Sequence, residues 1–380
     1  MAADEFGIGR TGTAVSNSST TSVAHTMASN NEPALITFDR LQSYIARAFV
    51  KVGMPQADAH KVATLMANAD LQGSDGHGVI RLVPYVKRIR AGGINLRPHI
   101  RVLHERPGSA VVDGDNGMGH LVVSRAVELA IEKARCTGVA WAGARYSNHA
   151  GPASLYARMP IEHDMIGLYF AVGNANHLPP WGGAEMLLST NPIACGIPAL
   201  HEPPVVLDMA TTVAAYGKVK AKAKNGEMMP EGWMIDRRGK PLLDPKRADE
   251  GFLLPIGGHK GYGLALIVGL LAGTLQGAAM GRDVIDFNKD AVTTTNTGQA
   301  ILVIDLRAFG DPAEFKARVD TVVRDIRNSE RLDGVARIWL PGEQSHQRRE
   351  RYRAEGIPVS TGVVNEIAAM AREIGIEPLV

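Results

Sequence analysis

Apolar residues recur at helical spacing near the start of the ordered-looking chain. Leu41, Tyr44, Ile45, Ala48 and Phe49 share one face, with Thr37 placed to cap the start and Gly53 to close the end. Pro55 opens a second helix with Val62, Leu65, Met66 and Ala69 inward and Gly73 after it. A third helix is predicted over 79–91, stopped by Gly92-Gly93. Two short strands follow over 99–113, and a helix opens at His120 and runs to about Arg135. Strands are predicted at 139–144, 165–172, 193–198, 205–208 and 298–306. Residues 312–328 read as an amphipathic helix with Phe315, Val319, Val322, Val323 and Ile326 inward. A last strand is predicted over 335–340, and a terminal helix over 362–374 that packs back on the N-terminal helices. Strands alternating with helices imply an α/β fold.

Two stretches break this pattern. Met1 to Asn31 is rich in Ser, Thr, Ala and Gly and has no apolar run, so it reads as a disordered extension, 1–32. The letters of a dinucleotide fingerprint, Gly7-Ile-Gly-Arg-Thr-Gly12, fall there without a strand before or a helix after, and are taken as chance. The sequon Asn17-Ser-Ser19 lies in the same stretch. From Gly261 to Gly281 no residue is charged. That length could span a bilayer. With no second such segment, a helix buried in a soluble protein is the preferred reading.

Charge and composition narrow the class. A formal net charge of +2 gives no basic footprint for nucleic acid. The two cysteines, Cys136 and Cys195, have no metal-ligand spacing, so neither structural zinc nor a disulfide framework is expected, and a reducing, cytoplasmic compartment fits.

The candidate chemistry sits at Ser74-Asp-Gly-His-Gly-Val-Ile-Arg81. An imidazole moves protons near neutral pH, and a guanidinium can grip a carboxylate with two bonds. His77 just before a helix and Arg81 in its first turn can therefore face one pocket and serve a 2-hydroxy or 2-oxo acid. A capping histidine and a surface arginine are the plainer alternative. His120 is a second proton-transfer candidate or a helix cap. Asp208, at a strand end, can orient a histidine or cap the next helix. The long loop 173–183 has little purpose as scaffold, and its Trp181 can wall a flat-ring pocket or simply pack. Lys218, Lys220, Lys222 and Lys224 form either a solvated face or a phosphate-greeting one.

Together these segments resemble the malate/L-lactate dehydrogenases of the type-2 class, a family that includes sulfolactate, ureidoglycolate and diketogulonate oxidoreductases and cyclic-imine-2-carboxylate reductases. The likeness runs through His77-Gly-Val-Ile-Arg81, Val112-Asp-Gly-Asp-Asn-Gly-Met-Gly-His120, Ser147-Asn-His-Ala-Gly151 and Trp181-Gly-Gly183. It continues through Thr190-Asn-Pro192, Asp208-Met-Ala-Thr211, Gly257-Gly-His-Lys-Gly-Tyr-Gly-Leu264 and Leu340-Pro-Gly-Glu343. The resemblance implies a non-Rossmann nicotinamide-binding fold with a mixed sheet. It implies a helical unit of 33–105 completed by 330–380, and a cofactor domain over 106–329. It further implies NAD or NADP as cofactor, a small 2-hydroxy/2-oxo acid as substrate, and a homodimer that shares its active-site regions. Reduction of a cyclic imine 2-carboxylate at the same site is the alternative, and a catalytically silent cofactor-binding protein is another. By the same resemblance His77 is the acid/base, Arg81 the carboxylate receiver, Asp208 a supporting acid, and His120 a competing proton donor. The implied cofactor contacts are His149, His177, Leu178, Pro179, Pro180, Trp181, Gly182, Lys218, Lys220, Gly342 and Glu343, with no metal. One departure stands out: Gly76 occupies a position where the family often has Ser.

Overall fold

A computed structural model describes residues 32–380. The expectations for the first 31 residues lie outside the described residues. The chain opens with β1 (Ala34–Ile36), α1 (Phe38–Lys51) and α2 (Gln56–Leu71). A 3-10 turn, Val79–Arg81, runs straight into α3 (Leu82–Arg90). A hairpin of β2 (Arg101–Arg106) and β3 (Ser109–Asp113) leads to α4 (Gly119–Thr137), β4 (Val139–Ser147) and the short α5 (Ser154–Arg158). Then come β5 (Met165–Ala171), β6 (Ile193–Ile197), β7 (Val205–Met209) and α6 (Tyr216–Asn225). A small ribbon of β8 (Met234–Asp236) and β9 (Gly251–Leu253) precedes α7 (His259–Ala272) and β10 (Thr297–Asp305). The chain ends with α8 (Pro312–Asn328), α9 (Glu343–Glu355), β11 (Ile357–Val359) and α10 (Thr361–Ile374).

The main sheet has seven strands in the order β2-β3-β4-β10-β5-β6-β7. Only β3 and β4 run parallel; every other neighbouring pair is antiparallel. It is a mixed sheet, as the family resemblance implied, and mostly antiparallel, where alternating strands and helices alone would suggest a parallel one. The expected unit boundary at 105/106 cuts through the β2–β3 hairpin, because β2 is hydrogen-bonded into this sheet.

Beside the sheet the two ends of the chain build one helical unit. Strand β1 pairs antiparallel with β11, and the Tyr44 hydroxyl donates to the Ile367 carbonyl at 3.2 Å. Leu41, Tyr44, Ile45, Ala48 and Phe49 are all fully buried, in one core with Val62, Met66, Leu82, Ile367 and Met370. Each such large apolar side chain contributes roughly 1.5–3 kcal/mol on burial. The Thr37 hydroxyl caps α1 as its sequence position predicted.

Three expectations change. In α8, Val323 is buried but Val322 and Ile326 are 55% and 46% exposed. The inward line is turned by Asp320, whose buried carboxylate accepts from the backbone of Leu200, His201 and Glu202 at 2.9–3.2 Å. Residues 335–340 form no strand: just beyond them the Pro341 carbonyl accepts from Val206 N–H of β7 at 3.1 Å, and the chain then enters the unforeseen α9. The uncharged stretch is not one long buried helix. Helix α7 ends before Gly273, and Ile267 and Leu270 face outward. No helix among the described residues is long and apolar enough to cross a membrane.

Candidate active site

The loop after α2 is fixed by a buried carboxylate. Asp70 accepts the Val79 N–H at 2.7 Å, and a Cβ on Gly78 would lie 1.9 Å from its Oδ1. Only glycine fits there. Burial pushes the Asp70 carboxyl well above its ordinary range, with the Val79 N–H pulling it back. The His77 N–H closes the turn on the Ser74 carbonyl at 2.8 Å. Arg81 follows in the 3-10 turn. Its Nε donates to the Gly76 carbonyl at 2.7 Å, and a terminal nitrogen reaches Asn288 Oδ1 at 3.4 Å. A Cβ at Gly76 would meet nothing within 4 Å, so the missing serine is not a matter of space.

The end of β4 brings His149 over His77. The two rings are parallel to within 7°, with centroids 5.6 Å apart. His149 Nδ1 accepts from the Tyr85 hydroxyl and from Gly151 N–H at 3.4 Å. Two donors on Nδ1 assign the proton of the neutral ring to Nε2. Tyr85 stands edge-on to His120, 5.8 Å away, and to Phe287, 5.9 Å away. His120 is fully buried, and neither of its ring nitrogens has a partner among the described residues. Native proteins rarely leave a buried polar group so, at roughly 1–3 kcal/mol each.

Electrostatics sharpen the picture. Burial, and then the Arg81 charge, lowers His77 to about 4. Burial and the neighbouring His77 lower His120 to about 3. His149 is held well below its ordinary value by burial, Arg81 and the other two imidazoles. Burial pushes the Tyr85 hydroxyl upward. Groups that are cationic, or become so on protonation, converge here, and none of the shifts includes a carboxylate among its causes. An anion would relieve all three imidazoles at once.

Asp208 is exposed at the end of β7 and accepts the Ser154 N–H at 2.9 Å. It therefore caps α5, not α6, which begins at Tyr216. Gln72 links the Ser154 hydroxyl (2.9 Å) to that of Ser74 (3.0 Å), so Asp208 connects through Ser154 and Gln72 to the His77 loop.

The remaining named residues fall into two groups. His177 stacks on Tyr216 at 4.1 Å and 9°, with Lys220 5.5 Å from the tyrosine ring and the Tyr216 hydroxyl donating to Asp249 at 3.2 Å. Burial is the main cause that lowers His177 to about 4. Trp181 is exposed with its ring beside Gly258, Gly182 and Lys218 are exposed, and Pro180 is half-buried. Lys222 pairs with Glu227 at 2.5 Å and Lys224 approaches Glu366 at 3.8 Å. The other group is engaged in the scaffold. Leu178 is buried, and both its N–H and its carbonyl bond Leu188; Pro179 is buried beside it. Gly342 has φ +84°, and a Cβ there would sit 2.8 Å from the Val206 carbonyl. Glu343 is buried and accepts from Arg327 (3.1 Å), Arg337 and Leu340 N–H (3.2 Å). Both its oxygens are engaged inside the chain.

Tyr85, Phe287 and Asn288 were not named from sequence. Tyr85 had a signal, since it repeats the four-residue step from His77 to Arg81. Phe287 and Asn288 had none, being about 200 residues away in the chain.

Residues 36–368 match the family model described as malate/L-lactate dehydrogenase. The chain is 39% identical to a malate dehydrogenase of Pyrococcus abyssi, over 90% of this chain and 95% of that one. It is 37% identical to an L-sulfolactate dehydrogenase of Methanothermobacter thermautotrophicus, over 87% and 95%. The solved malate dehydrogenase of Pyrococcus horikoshii OT3 superposes with a TM-score of 0.84 at 36% identity, covering 92% of this chain and 97% of that one.

Proposed function

The chain belongs to the malate/L-lactate dehydrogenase family, and from that premise we propose that it moves a hydride between NAD(P) and a 2-hydroxy/2-oxo acid pair at the pocket of His77, Arg81, Tyr85 and His149. The observation that carries the reading is the convergence of Arg81 with two parallel imidazoles, one held by a tyrosine hydroxyl. The nicotinamide cofactor, when bound, supplies the hydride acceptor or donor. The half-buried His177–Tyr216 pair offers it flat faces, and Asn176 Oδ1 is a buried acceptor without a partner among the described residues. Lys218 and Lys220, at the start of α6, suit its phosphates.

The chain's own residues do the rest. Arg81 receives the substrate carboxylate and fixes its orientation, a contribution that reaches about 7–11 kcal/mol in the best-oriented systems. Arg81 is also a cause of the low His77 value, so a carboxylate on its guanidinium raises His77 toward neutrality. His77 can then take the hydroxyl proton in oxidation and return it in reduction, worth about 10²–10⁴-fold. Tyr85 holds His149 in one tautomer across the pocket. In this proposal Asp208 supports the loop through Ser154 and Gln72, and His120 stays neutral beneath Tyr85.

A direct assay tests this. Purified protein is mixed with NADH or NADPH and a panel of 2-oxo acids, and absorbance of the reduced cofactor is followed. Oxidation by a 2-oxo acid supports the reading and names the cofactor. Oxidation only by cyclic imine acids moves it to the imine reductases. Absence of cofactor binding, followed by fluorescence, sinks it. The same proposal makes the chain a cytoplasmic homodimer. The outward Ile267, Leu270 and Leu275 supply an apolar face for a second copy, and light scattering would expose a monomer.

A further inference from the structure

Beside the proposed pocket lies an arginine with no side-chain hydrogen bond to His77, Arg81, Tyr85 or His149 among the described residues. Arg88 on α3 is 1% exposed. Its Nε donates to Asn148 Oδ1 at 3.3 Å, and its two terminal nitrogens donate to the carbonyls of Asp290 and Thr293. Its guanidinium lies 5.0 Å from the Phe287 ring centroid. A guanidinium is buried at a high free-energy cost unless its donors are met. Most of what meets Arg88 belongs to one segment, 286–293.

That segment is seated as well as tied. A Cβ on Gly93 would lie 2.2 Å from the Ala291 carbonyl oxygen, so the backbone rests directly on this glycine. Asp290 Oδ1 accepts the N–H groups of Val292 and Thr293 at 2.9 and 2.8 Å. The Phe287 N–H donates to the Asn174 carbonyl at 2.9 Å. Held this way, the segment turns two side chains to the pocket. Phe287 packs 5.8 Å from His149 and 5.9 Å from Tyr85. Asn288 Oδ1 meets Arg81, whose Nε is already on Gly76. Arg81 is thus braced from both sides, leaving its other terminal nitrogen for a carboxylate.

We propose that Arg88 is a positioning residue for substrate recognition: it fixes segment 286–293 so that Asn288 braces Arg81 and Phe287 closes the carboxylate end of the pocket. This rests on the 2-hydroxy acid reading above. A residue that only stabilised the fold would shift melting and leave the KM for substrate unchanged.

The test uses the full chain with Arg88→Met, Arg88→Lys and Asn288→Ala. Arg88→Met is expected to raise the KM for the 2-oxo acid about tenfold or more, the loss of one charged hydrogen bond. Its kcat and cofactor affinity should stay within about threefold, and Arg88→Lys should recover part of the KM. Asn288 is exposed, so Asn288→Ala keeps the fold and should raise the same KM if Arg88→Met cannot be purified. Amide exchange at Phe287, Val292 and Thr293 should quicken in Arg88→Met. A folded Arg88→Met with unchanged KM overturns the proposal, as does a parallel fall in cofactor affinity and kcat. Should the wild type reduce no 2-oxo acid, the functional reading fails by itself. Amide exchange then decides the clip alone, and unchanged exchange in Arg88→Met overturns it.

Discussion

Two ring stacks among the described residues, His77 on His149 and His177 on Tyr216, lie in opposite electrostatic settings. His77 parallels His149 among groups that are cationic or become so, Arg81 and His120. His177 parallels Tyr216 among Asp286, Asp249, Lys220 and Lys289, whose effects oppose one another. Both histidines come down to about 4, and burial leads in each. The equal value hides unequal roles. An anion arriving at Arg81 changes the field at His77 directly. At His177 charges of both signs act in opposite directions, with Asp286 the first of them. In the proposed function the first site is the one that changes protonation and the second the one that holds the cofactor.

Exchanging the two histidines for alanine should separate these roles most. His77→Ala should lower kcat by about 10²–10⁴-fold with cofactor affinity kept. His177→Ala should weaken cofactor binding, read by fluorescence titration, with kcat within about threefold of wild type. Equal kinetic losses in the two variants would erase the distinction.

Tyr85→Phe cuts only the first stack. Losing its hydrogen bond to His149 should cost about 1 kcal/mol of stability and lower turnover about tenfold if the tautomer matters. The His177–Tyr216 side should not respond. Denaturant melts beside steady-state rates check this, and a variant with wild-type kcat would show that turnover does not depend on the tautomer Tyr85 holds.

The pH dependence of stability comes next. His77, His120 and His177 all have folded values below the ordinary 6.5. As pH falls below about 6.5 the unfolded chain takes up imidazole protons that the folded chain refuses, so the stability these three groups contribute drops toward pH 4, while the raised Asp70 carboxyl works in the opposite direction. Thermal melts between pH 7 and 4 should show it. Saturating 2-oxo acid should flatten the slope of the His177→Gln variant, by raising His77, more than that of His77→Gln. Equal flattening would deny Arg81 and His77 their special coupling.

The smallest effect belongs to the exposed lysines. Lys218→Ala and Lys220→Ala should change the NADPH-to-NADH preference by a few fold, since exposed charges contribute about 0–1 kcal/mol. Competition assays with both cofactors measure it. No change would free α6 of a phosphate role.

How much of this the sequence carried depends on distance along the chain. His77 and Arg81 were legible as a candidate pair because four residues and two glycines place them, a spacing that lets them face one pocket and equally allows a capping histidine and a surface arginine. The inward face of α1 was legible for a similar reason: its five apolar positions fall on one stripe, and nothing else competes for it. Helix α8 shows the limit. Its apolar stripe is just as regular, yet Asp320 faces in and Val322 out, because three backbone N–H groups of residues 200–202 needed an acceptor. Glu343 belongs to the same kind: the motif drew attention to it, and Arg327 and Arg337 had already engaged it.

By itself the sequence determined the α/β class, the helical stripe of the N-terminal unit and the closeness of His77 and Arg81 in one loop, since local spacing and turn chemistry act over a few residues. Only the tertiary structure decided that His149 lies over His77, that Tyr85 holds it, that Phe287 packs near both Tyr85 and His149, that Asn288 meets Arg81, and that Arg88 ties their segment down. Those contacts join segments some 60 to 200 residues apart, and no local periodicity encodes which buried polar groups will find each other.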